Sequence, residues 1–411
     1  MAPFRNPFKP GAGHMPPYLA GREAAIAEVL RYLDQDVILT NIVLTGLRGV
    51  GKTVLLETIK PQAISQHWNW VGTDLSESAS ISEDSLATRL LADLSVITSS
   101  MPITQHEVRG PGFMSTTTRV IQTLDFAVLR SVFSEAPGLV ADKLKHTLEL
   151  VWQAMPKASR GHGVVFAYDE AQNLTDHAQK EQYPLSMLLD VFQSLQKKGL
   201  PYLLILTGLP TLFPKLVEAR TYAERMFHVV VLDRLSDAES QEAIVRPTDK
   251  AESPVRFEPA TVQRIVTESA GYPYFVQFIC REVFDVFVQQ DPTIRKAPIE
   301  AIVNKLDADF FSGRWARATD RQRELMSIIA ELPNADSEFS VQEIVAQSKL
   351  SASKPFSPSH VNQMLASLAA AGLIFKNRHG RYAFAVPLLG RFIRRQVSAS
   401  DGTAGYAGVA A

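Results

Sequence analysis

The chain has 411 residues, of which 46% are hydrophobic and 21% are charged, and it contains one cysteine, Cys280. This length allows two or three domains with apolar cores, and the single cysteine excludes an internal disulfide and a cysteine-based zinc site. No apolar run approaches the roughly 18 residues of a membrane span, and the first residues do not resemble a signal peptide. We therefore predict a cytoplasmic protein with no membrane partner.

The first part of the chain predicts an arm followed by an α/β domain. Residues 1–17 contain five prolines, which is typical of an extended arm. Gly21-Arg22-Glu23 then opens a helix that reaches about Leu33, and the apolar run from Asn41 to Thr45 predicts a buried strand. We place this α/β domain at residues 18–235.

That strand runs directly into a glycine-rich loop with the complete pattern of a phosphate-binding loop. Its glycines let backbone N–H groups close around phosphates, and the helix that follows points its positive end at them. A lysine at its end reaches the β- and γ-phosphates, and the next hydroxyl is placed for Mg²⁺. The residues are Gly46, Leu47, Arg48, Gly49, Val50, Gly51, Lys52 and Thr53. The sequence therefore predicts ATP and Mg²⁺ as cofactors.

A second apolar run, residues 163–168, ends in the adjacent carboxylates Asp169 and Glu170. A strand buried on both faces of a parallel sheet delivers such acids at its carboxyl end, where ligands bind. We expect Asp169 to hold Mg²⁺ and Glu170 to act as the general base towards the attacking water. The alternative is a surface pair that caps the next helix. Gln172 and Asn173 are candidate polar members of the same site.

Elsewhere in this domain the pattern alternates between strands and helices, as in a parallel sheet. The predicted elements are strands at 68–74, 201–208 and 228–232 and helices at 82–94 and 185–198. Residues 98–160 are too long for an ordinary connection, and Thr116 to Phe133 fits either a hairpin inserted in the sheet or a helix. A helical lid is expected at 236–312.

The C-terminal part predicts a basic winged-helix domain at residues 319–397, followed by a disordered tail at 398–411. Between Lys349 and Gln396 there are eight Lys or Arg residues and no Asp or Glu. Three predicted helices precede a predicted β-hairpin, which is the plan of a winged helix. We expect the third helix to enter the major groove of double-stranded DNA and the hairpin to contact phosphates. The candidate DNA-binding residues are His360, Asn362, Gln363, Lys376, Arg378 and Arg381. The alternative is a domain that contacts a protein partner or acts as an autoinhibitory lid.

The order of these motifs resembles the AAA+ ATPases of the origin-recognition and archaeal replication-initiator type, and the related signal-transduction ATPases, over about residues 15 to 395. The resemblance implies that Thr207 senses the γ-phosphate and that Arg225 is an arginine finger given to a neighbouring subunit, with Arg220 as the rival. It also places Pro273, in Gly271-Tyr272-Pro273, near the adenine. The initiators carry an arginine in that lid helix, and the candidate here, Arg281, lies about two turns further on.

The predicted fold is a P-loop NTPase sheet flanked by helices, with a helical lid and a C-terminal winged helix. The predicted function is an ATPase switch that joins nucleotide state to homo-oligomerisation, through Arg225, and to DNA binding. The main alternative is a regulatory signalling ATPase, in phage defence or a mobile element, whose winged helix holds an unidentified protein partner. A scaffold that binds nucleotide without turnover is disfavoured because Glu170 is present.

Overall fold

A computed structural model describes residues 5–404 except 12, 36, 110–116, 251–252, 254, 290–296, 352–353 and 379. The chain forms two compact units. The sheet unit comprises Arg22–Gly46 and Lys52–Leu232, and the C-terminal unit comprises Met1–Gly21, Leu47–Gly51 and Asp233–Ala411. Within the described ranges, no helix is both long enough and apolar enough to cross a membrane.

The residues that the structure describes form nine strands and eighteen α-helices. The strands are β1 (Asn41–Thr45), β2 (Trp68–Val71), β3 (Pro102–Arg109), β4 (Thr117–Thr123), β5 (Gly163–Tyr168), β6 (Tyr202–Gly208), β7 (Phe227–Val231), β8 (Ile374–Arg378) and β9 (Arg381–Phe384). The helices of the sheet unit are α1 (Glu23–Leu33), α2 (Lys52–Ser65), α3 (Glu83–Thr98), α4 (Phe126–Glu135), α5 (Val140–Ala154), α6 (Lys157–Arg160), α7 (Pro184–Lys197), α8 (Leu212–Ala219) and α9 (Ala223–Met226). Those of the C-terminal unit are α10 (Asp237–Lys250), α11 (Pro259–Ser269), α12 (Pro273–Gln289), α13 (Ile299–Leu306), α14 (Gly313–Ala316), α15 (Asp320–Ala330), α16 (Val341–Ser351), α17 (Pro358–Ala370) and α18 (Leu389–Ala404).

The sheet unit is built on a five-stranded parallel sheet with the order β2-β5-β6-β1-β7. Its three inner strands, β5, β6 and β1, are buried at every residue. Continuous burial is what a parallel sheet covered by helices on both faces requires, and it explains why these strands read as apolar runs and not as alternating ones. The predicted α/β fold class is confirmed.

The segment between α3 and α5 has a more complex structure than either prediction. β3 and β4 pair antiparallel in a two-stranded sheet of their own, and α4 follows. Thr116 lies outside the described residues, but 117–123 is a strand and Phe126–Glu135 is a helix. Of the two alternatives left open for Thr116 to Phe133, the hairpin accounts only for β4, whose partner strand β3 lies before that range, and the helix accounts only for α4. The hairpin pairs separately and does not join the five-stranded sheet.

The C-terminal unit joins the lid helices and the winged helix through one apolar core. Phe311 contacts Phe275, with ring centroids 5.9 Å apart, and stacks on Phe392 of α18 at 5.2 Å. Three helices, α15 to α17, precede the antiparallel hairpin β8–β9, which is the predicted winged-helix arrangement. α18 then continues to Ala404, so residues 398–404 are helical where we expected disorder, and 405–411 lie outside the described residues.

The proline-rich arm lies on the lid helices of the same unit. Phe8 is fully buried and stacks on Phe257 at 5.9 Å. The side-chain amide of Asn6 donates to the backbone oxygen of Arg281 at 3.0 Å and to Asp285 at 2.8 Å. Composition predicted an extended arm, and one aromatic side chain among the prolines fixes where it docks. Burying a side chain of this size stabilises the contact by about 2 kcal/mol.

Candidate nucleotide site

The carboxyl ends of three adjacent parallel strands meet at one edge of the sheet. β1 pairs with β6 so that Thr45 is opposite Gly208, and β6 pairs with β5 up to Tyr168. The backbone N–H of Gly46 donates to the oxygen of Gly208 at 3.4 Å. Because ligands bind beyond the carboxyl ends of such strands, the segments that follow β1, β5 and β6 form the candidate site.

The segment after β1 has the geometry of a phosphate-binding loop. Gly49 and Gly51 have φ angles of +80° and +94°, which side chains other than glycine rarely tolerate. α2 begins at Lys52, whose ammonium donates to the oxygen of Gly46 at 2.8 Å. The lysine therefore folds back over the start of the loop, above the helix end that favours anions.

The two acids after β5 have different surroundings. Asp169 is buried, and it accepts hydrogen bonds from the hydroxyl of Thr53 and, at 2.8 Å, from the N–H of Glu170. Glu170 is exposed and has a left-handed backbone, with a φ of +52°. One acid is thus held against the phosphate loop and the other is directed towards solvent, as different roles require.

Two buried hydroxyls at the strand ends have no hydrogen-bond partner among the described residues. They belong to Thr207 on β6 and Thr45 on β1. Buried polar groups are almost always satisfied, so these orphaned hydroxyls fit a site completed by a polar ligand. The sequence indicated Thr207 but not Thr45, although Thr45 is the last residue before the loop. No cluster of three or more metal-binding side chains occurs in the described residues.

Gln172 and Asn173 both have partners near the site. Asn173 donates to the backbone oxygen of Leu75 at 2.8 Å, whereas the amide of Gln172 donates to Glu170. Sequence reasoning missed Lys215 of α8, whose ammonium donates to the backbone oxygen of Gln172 at 2.8 Å. Burial lowers the pKa of Lys215. Its only sequence signal is a lysine in an otherwise apolar helical turn.

The two candidate arginine fingers differ in their partners. Arg220 forms two hydrogen bonds to Asp190, at 3.0 and 2.8 Å, and a third to Ser186. Arg225 of α9 is exposed, and its guanidinium has no hydrogen bond or ion pair within the described part of the chain. Arg225 is therefore the arginine of the two that is available to another molecule.

In the C-terminal unit, the loop segment Leu47–Gly51 contacts two further elements. The N–H of Tyr274, at the start of α12, donates to the oxygen of Gly49 at 3.2 Å. Leu47 packs against the small apolar cluster of the β8–β9 hairpin, formed by Phe375, Ala383 and Ala385. Leu47 of the phosphate loop thus packs directly on the wing of the winged helix.

The turn that contains Pro273 is fixed by its glycine. Gly271 has a φ of +77°, and a Cβ there would lie 2.2 Å from the oxygen of Leu235. Pro273 is the first residue of α12, a position that suits its missing N–H. Arg281, on the same helix, lies 4.0 Å from Asp285.

The candidate DNA-binding residues of α17 are exposed. Val361 and Leu365 point into the core, which leaves His360, Asn362 and Gln363 on the outer face. Asn362 also donates to the backbone oxygen of Pro358 at 2.9 Å. The helix is capped by Ser357. This face is free to contact another molecule.

Four of the eight basic residues in the acid-free stretch are paired with acids that precede it. Arg381 of the wing lies 3.0 Å from Glu343, and Arg394 lies 3.4 Å from Asp336. Arg391 shares Asp336, and Arg395 pairs with Asp307. Lys376 is exposed, and Arg378 is the last residue of β8. The concentration of positive charge predicted from residues 349–396 is therefore partly neutralised in the fold.

Comparison with known proteins agrees with this geometry. Residues 18–217 match the family described as AAA ATPase domain. Over these residues, just under half of the chain, the protein resembles an AAA+ P-loop ATPase domain. Residues 308–393 match a domain of unknown function. No curated protein matches the chain.

Two solved structures show the same fold. The Walker-type ATPase paby2304 of Pyrococcus abyssi is 15% identical, with a TM-score of 0.57 over 92% of this chain and 96% of that chain. The Aeropyrum pernix ORC2 protein in its ADP form is 13% identical, with a TM-score of 0.51 over 95% of this chain and 99% of that chain. At such identities the likeness concerns the fold alone. The predicted resemblance to AAA+ ATPases of the origin-recognition type is confirmed at that level.

Proposed function

We propose that this protein hydrolyses ATP with Mg²⁺ and couples its nucleotide state to self-assembly and to the binding of double-stranded DNA. The observation that carries the ATPase part is the contact of Thr53 with Asp169, beside the buried and unpartnered hydroxyl of Thr207. The segments that follow β1 and β5 meet there, and the unpartnered hydroxyl of Thr207 can bind a polar ligand.

Each residue has one task in the proposed reaction. Lys52 binds the β- and γ-phosphates, and Thr53 and Asp169 are the residues that would hold Mg²⁺, which neutralises phosphate charge when bound. Glu170 accepts the proton of the attacking water. Thr207 contacts the γ-phosphate through its hydroxyl, and Pro273 lies near the adenine.

Arg225 supports the proposal of self-assembly. An exposed guanidinium with no partner of its own can reach the phosphates of ATP bound by a neighbouring copy, and such an arginine accelerates phosphoryl transfer strongly. Arg220 is already held by Asp190. We therefore assign the finger to Arg225.

The contact between Leu47 and the wing supports the coupling to DNA. The wing's apolar face packs on the loop that cradles phosphate, while Lys376 of the same strand is exposed. A bound phosphate that changes the shape of the loop therefore also changes the position of the hairpin that carries Lys376 and Arg378. Exposed His360, Asn362 and Gln363 would read base edges.

The test is DNA binding and particle size measured with ATP, with ADP and without nucleotide. We expect the affinity for duplex DNA to differ between the nucleotide states. Ala383→Glu, which places a charge against Leu47, should remove that difference, whereas Ala346→Glu at an exposed site on α16 should keep it. Thermal unfolding checks that both variants fold. Nucleotide-independent DNA binding by the wild-type protein would refute the coupling.

A protein partner for the winged helix remains the second candidate. The observation in its favour is that Arg381, Arg394 and Arg395 are already paired with acids, which reduces the attraction for a polyanion. Ionic strength separates the two candidates, because DNA affinity falls steeply with salt and a mixed protein interface responds weakly.

A further inference from the structure

We infer that Gln172 is a positioning residue for ATP hydrolysis, whose side-chain amide links the carboxylate of Glu170 to the segment that follows Thr207. The inference rests on the proposed role of Glu170 as general base. It assigns to Gln172 a task that neither the phosphate loop nor the paired acids perform.

The two ends of one amide make the link. The amide nitrogen of Gln172 donates to Oε2 of Glu170. Its oxygen Oε1 accepts the backbone N–H of Leu209 at 3.1 Å. Leu209 follows Thr207 by two residues, so a single side chain joins the base to the strand end that carries the sensor hydroxyl.

The surroundings are shaped for this side chain. A Cβ on Gly208 would lie 2.6 Å from Oε1 of Gln172, so glycine leaves the space that the amide occupies. Lys215 donates to the backbone oxygen of Gln172 at 2.8 Å and fixes the segment from the other side. The side-chain amide is therefore held by Glu170 and by the segment after Thr207, and the backbone of Gln172 is held by α8.

Glu170 needs such a support because few contacts fix the position of its carboxylate. It is exposed, and no other hydrogen bond from a described residue reaches its carboxylate. A general base must lie within hydrogen-bond reach of its proton, and a displacement of about 1 Å can cost about a hundredfold in rate. An amide donor fixes the carboxylate without protonating it.

The link also gives the base a way to respond to the nucleotide. When the hydroxyl of Thr207 engages a phosphate, any movement of the strand end displaces the N–H of Leu209. Gln172 transmits that movement to Glu170, because its two hydrogen bonds use opposite ends of the same rigid amide.

The test compares Gln172 variants under saturating ATP. Gln172→Ala should lower kcat about tenfold or more while KM for ATP stays within about twofold, because positioning and not binding is lost. Gln172→Glu is nearly isosteric but sets a second carboxylate beside Glu170. It removes the amide donor and should lower kcat at least as far as Gln172→Ala does, again with KM for ATP within about twofold.

Asn173→Ala is the matched control. This variant also loses a side-chain amide bond, to Leu75, but not one to Glu170. It should lower the melting temperature without the tenfold loss of kcat. Wild-type kcat in Gln172→Ala, or a loss of the same size in Asn173→Ala, would overturn the inference.

The failure of the proposed function gives a different result. If Glu170→Gln hydrolyses ATP at the wild-type rate, Glu170 is not the base, and the role of Gln172 is refuted together with it. If Glu170→Gln is inactive but both Gln172 variants behave as wild type, the base assignment stands and only the role of Gln172 is refuted.

Discussion

The nucleotide site and the winged-helix surface use their charged side chains in different ways. At the nucleotide site, Thr53 is joined to Asp169, while the hydroxyls of Thr45 and Thr207 have no partner in the described residues. On the winged helix, Arg381 and Arg395 each already have an acidic partner. The first site has polar groups left for a ligand, whereas in the second four of the eight basic residues are paired with acids of the same chain.

The difference teaches that a basic stretch of sequence is weaker evidence for a ligand than a set of converging strand ends. Opposite charges from other parts of the chain can cancel a basic stretch, because surface ion pairs form wherever the fold brings them together. Strand ends, in contrast, are brought together by the hydrogen-bond register of the sheet itself. The following predictions test how far this contrast holds.

Lys52→Ala should have the largest effect. It removes the ammonium that reaches the phosphates, so we expect ATP affinity to fall by about a hundredfold or more. Isothermal titration with ATP measures it. The control is Lys180→Ala, which removes an exposed lysine of the same unit and should bind ATP normally. Tight ATP binding by Lys52→Ala would show that the loop does not hold phosphate.

Glu170→Gln should keep ATP binding and slow hydrolysis by about a hundredfold, because only the proton acceptor is lost. Phosphate release under saturating ATP measures the rate. Glu181→Gln is the matched control, because Glu181 is also exposed and also has a left-handed backbone, with a φ of +53°. We expect Glu181→Gln to hydrolyse ATP at the wild-type rate.

Arg225→Ala and Arg220→Ala should fail in different ways. Arg225→Ala should bind ATP and unfold at the wild-type temperature yet lose turnover, and a mixture with Glu170→Gln should recover some activity at interfaces where both groups survive. Arg220→Ala breaks the pair with Asp190 and should lower the melting temperature. Turnover that is independent of protein concentration would argue against a finger acting between subunits.

Changes of a single charge on the wing should alter DNA affinity by smaller amounts. Lys376→Ala should weaken binding to all DNA sequences and lower the salt slope by about one. Glu343→Gln should strengthen binding, because it releases Arg381. Asp320→Asn makes the same change of net charge at the start of α15, where it releases Arg323 instead of Arg381, and is the control. Equal affinities for Glu343→Gln and Asp320→Asn would show that Arg381 does not contact DNA.

The nucleotide site could be predicted from the sequence because most of its residues lie in two short continuous runs. Eight consecutive residues define the loop, and Asp169 and Glu170 end a single apolar strand. Parallel pairing then dictates that these segments meet. Thr45 and Lys215 escaped prediction because their roles depend on which strands and helices become neighbours, which no local pattern states.

The remaining differences have the same origin. The partners of Arg381 and Arg394 lie before residue 349, so a count of charges within the basic stretch could not include them. The hairpin β3–β4 has the strand propensity that the sequence suggested, but its separate pairing is a tertiary outcome. The helix over residues 398–404 continues α18, whose apolar side chains pack into the core further upstream.

The smallest expected effect is the pH dependence of stability, which should have opposite signs in the two regions. In the sheet core, burial raises the pKa of Asp93, although Arg89 and the hydroxyl of Tyr168 partly oppose it. Its stabilising contribution is therefore complete below the usual value of 3.8 and is lost as pH rises through the raised pKa.

In the winged helix, burial would raise the pKa of Glu343, but hydrogen bonds from Ser340 and the charge of Arg381 outweigh it and lower the pKa. That contribution is present above the usual value of 4.5 and is lost as pH falls through the lowered pKa. Urea midpoints measured across this range should show the wild type losing stability relative to Asp93→Asn as pH rises, and relative to Glu343→Gln as pH falls. If the wild type lost stability relative to both variants in the same direction of pH, the direction of the pKa shift given for one of these two carboxyl groups would be wrong.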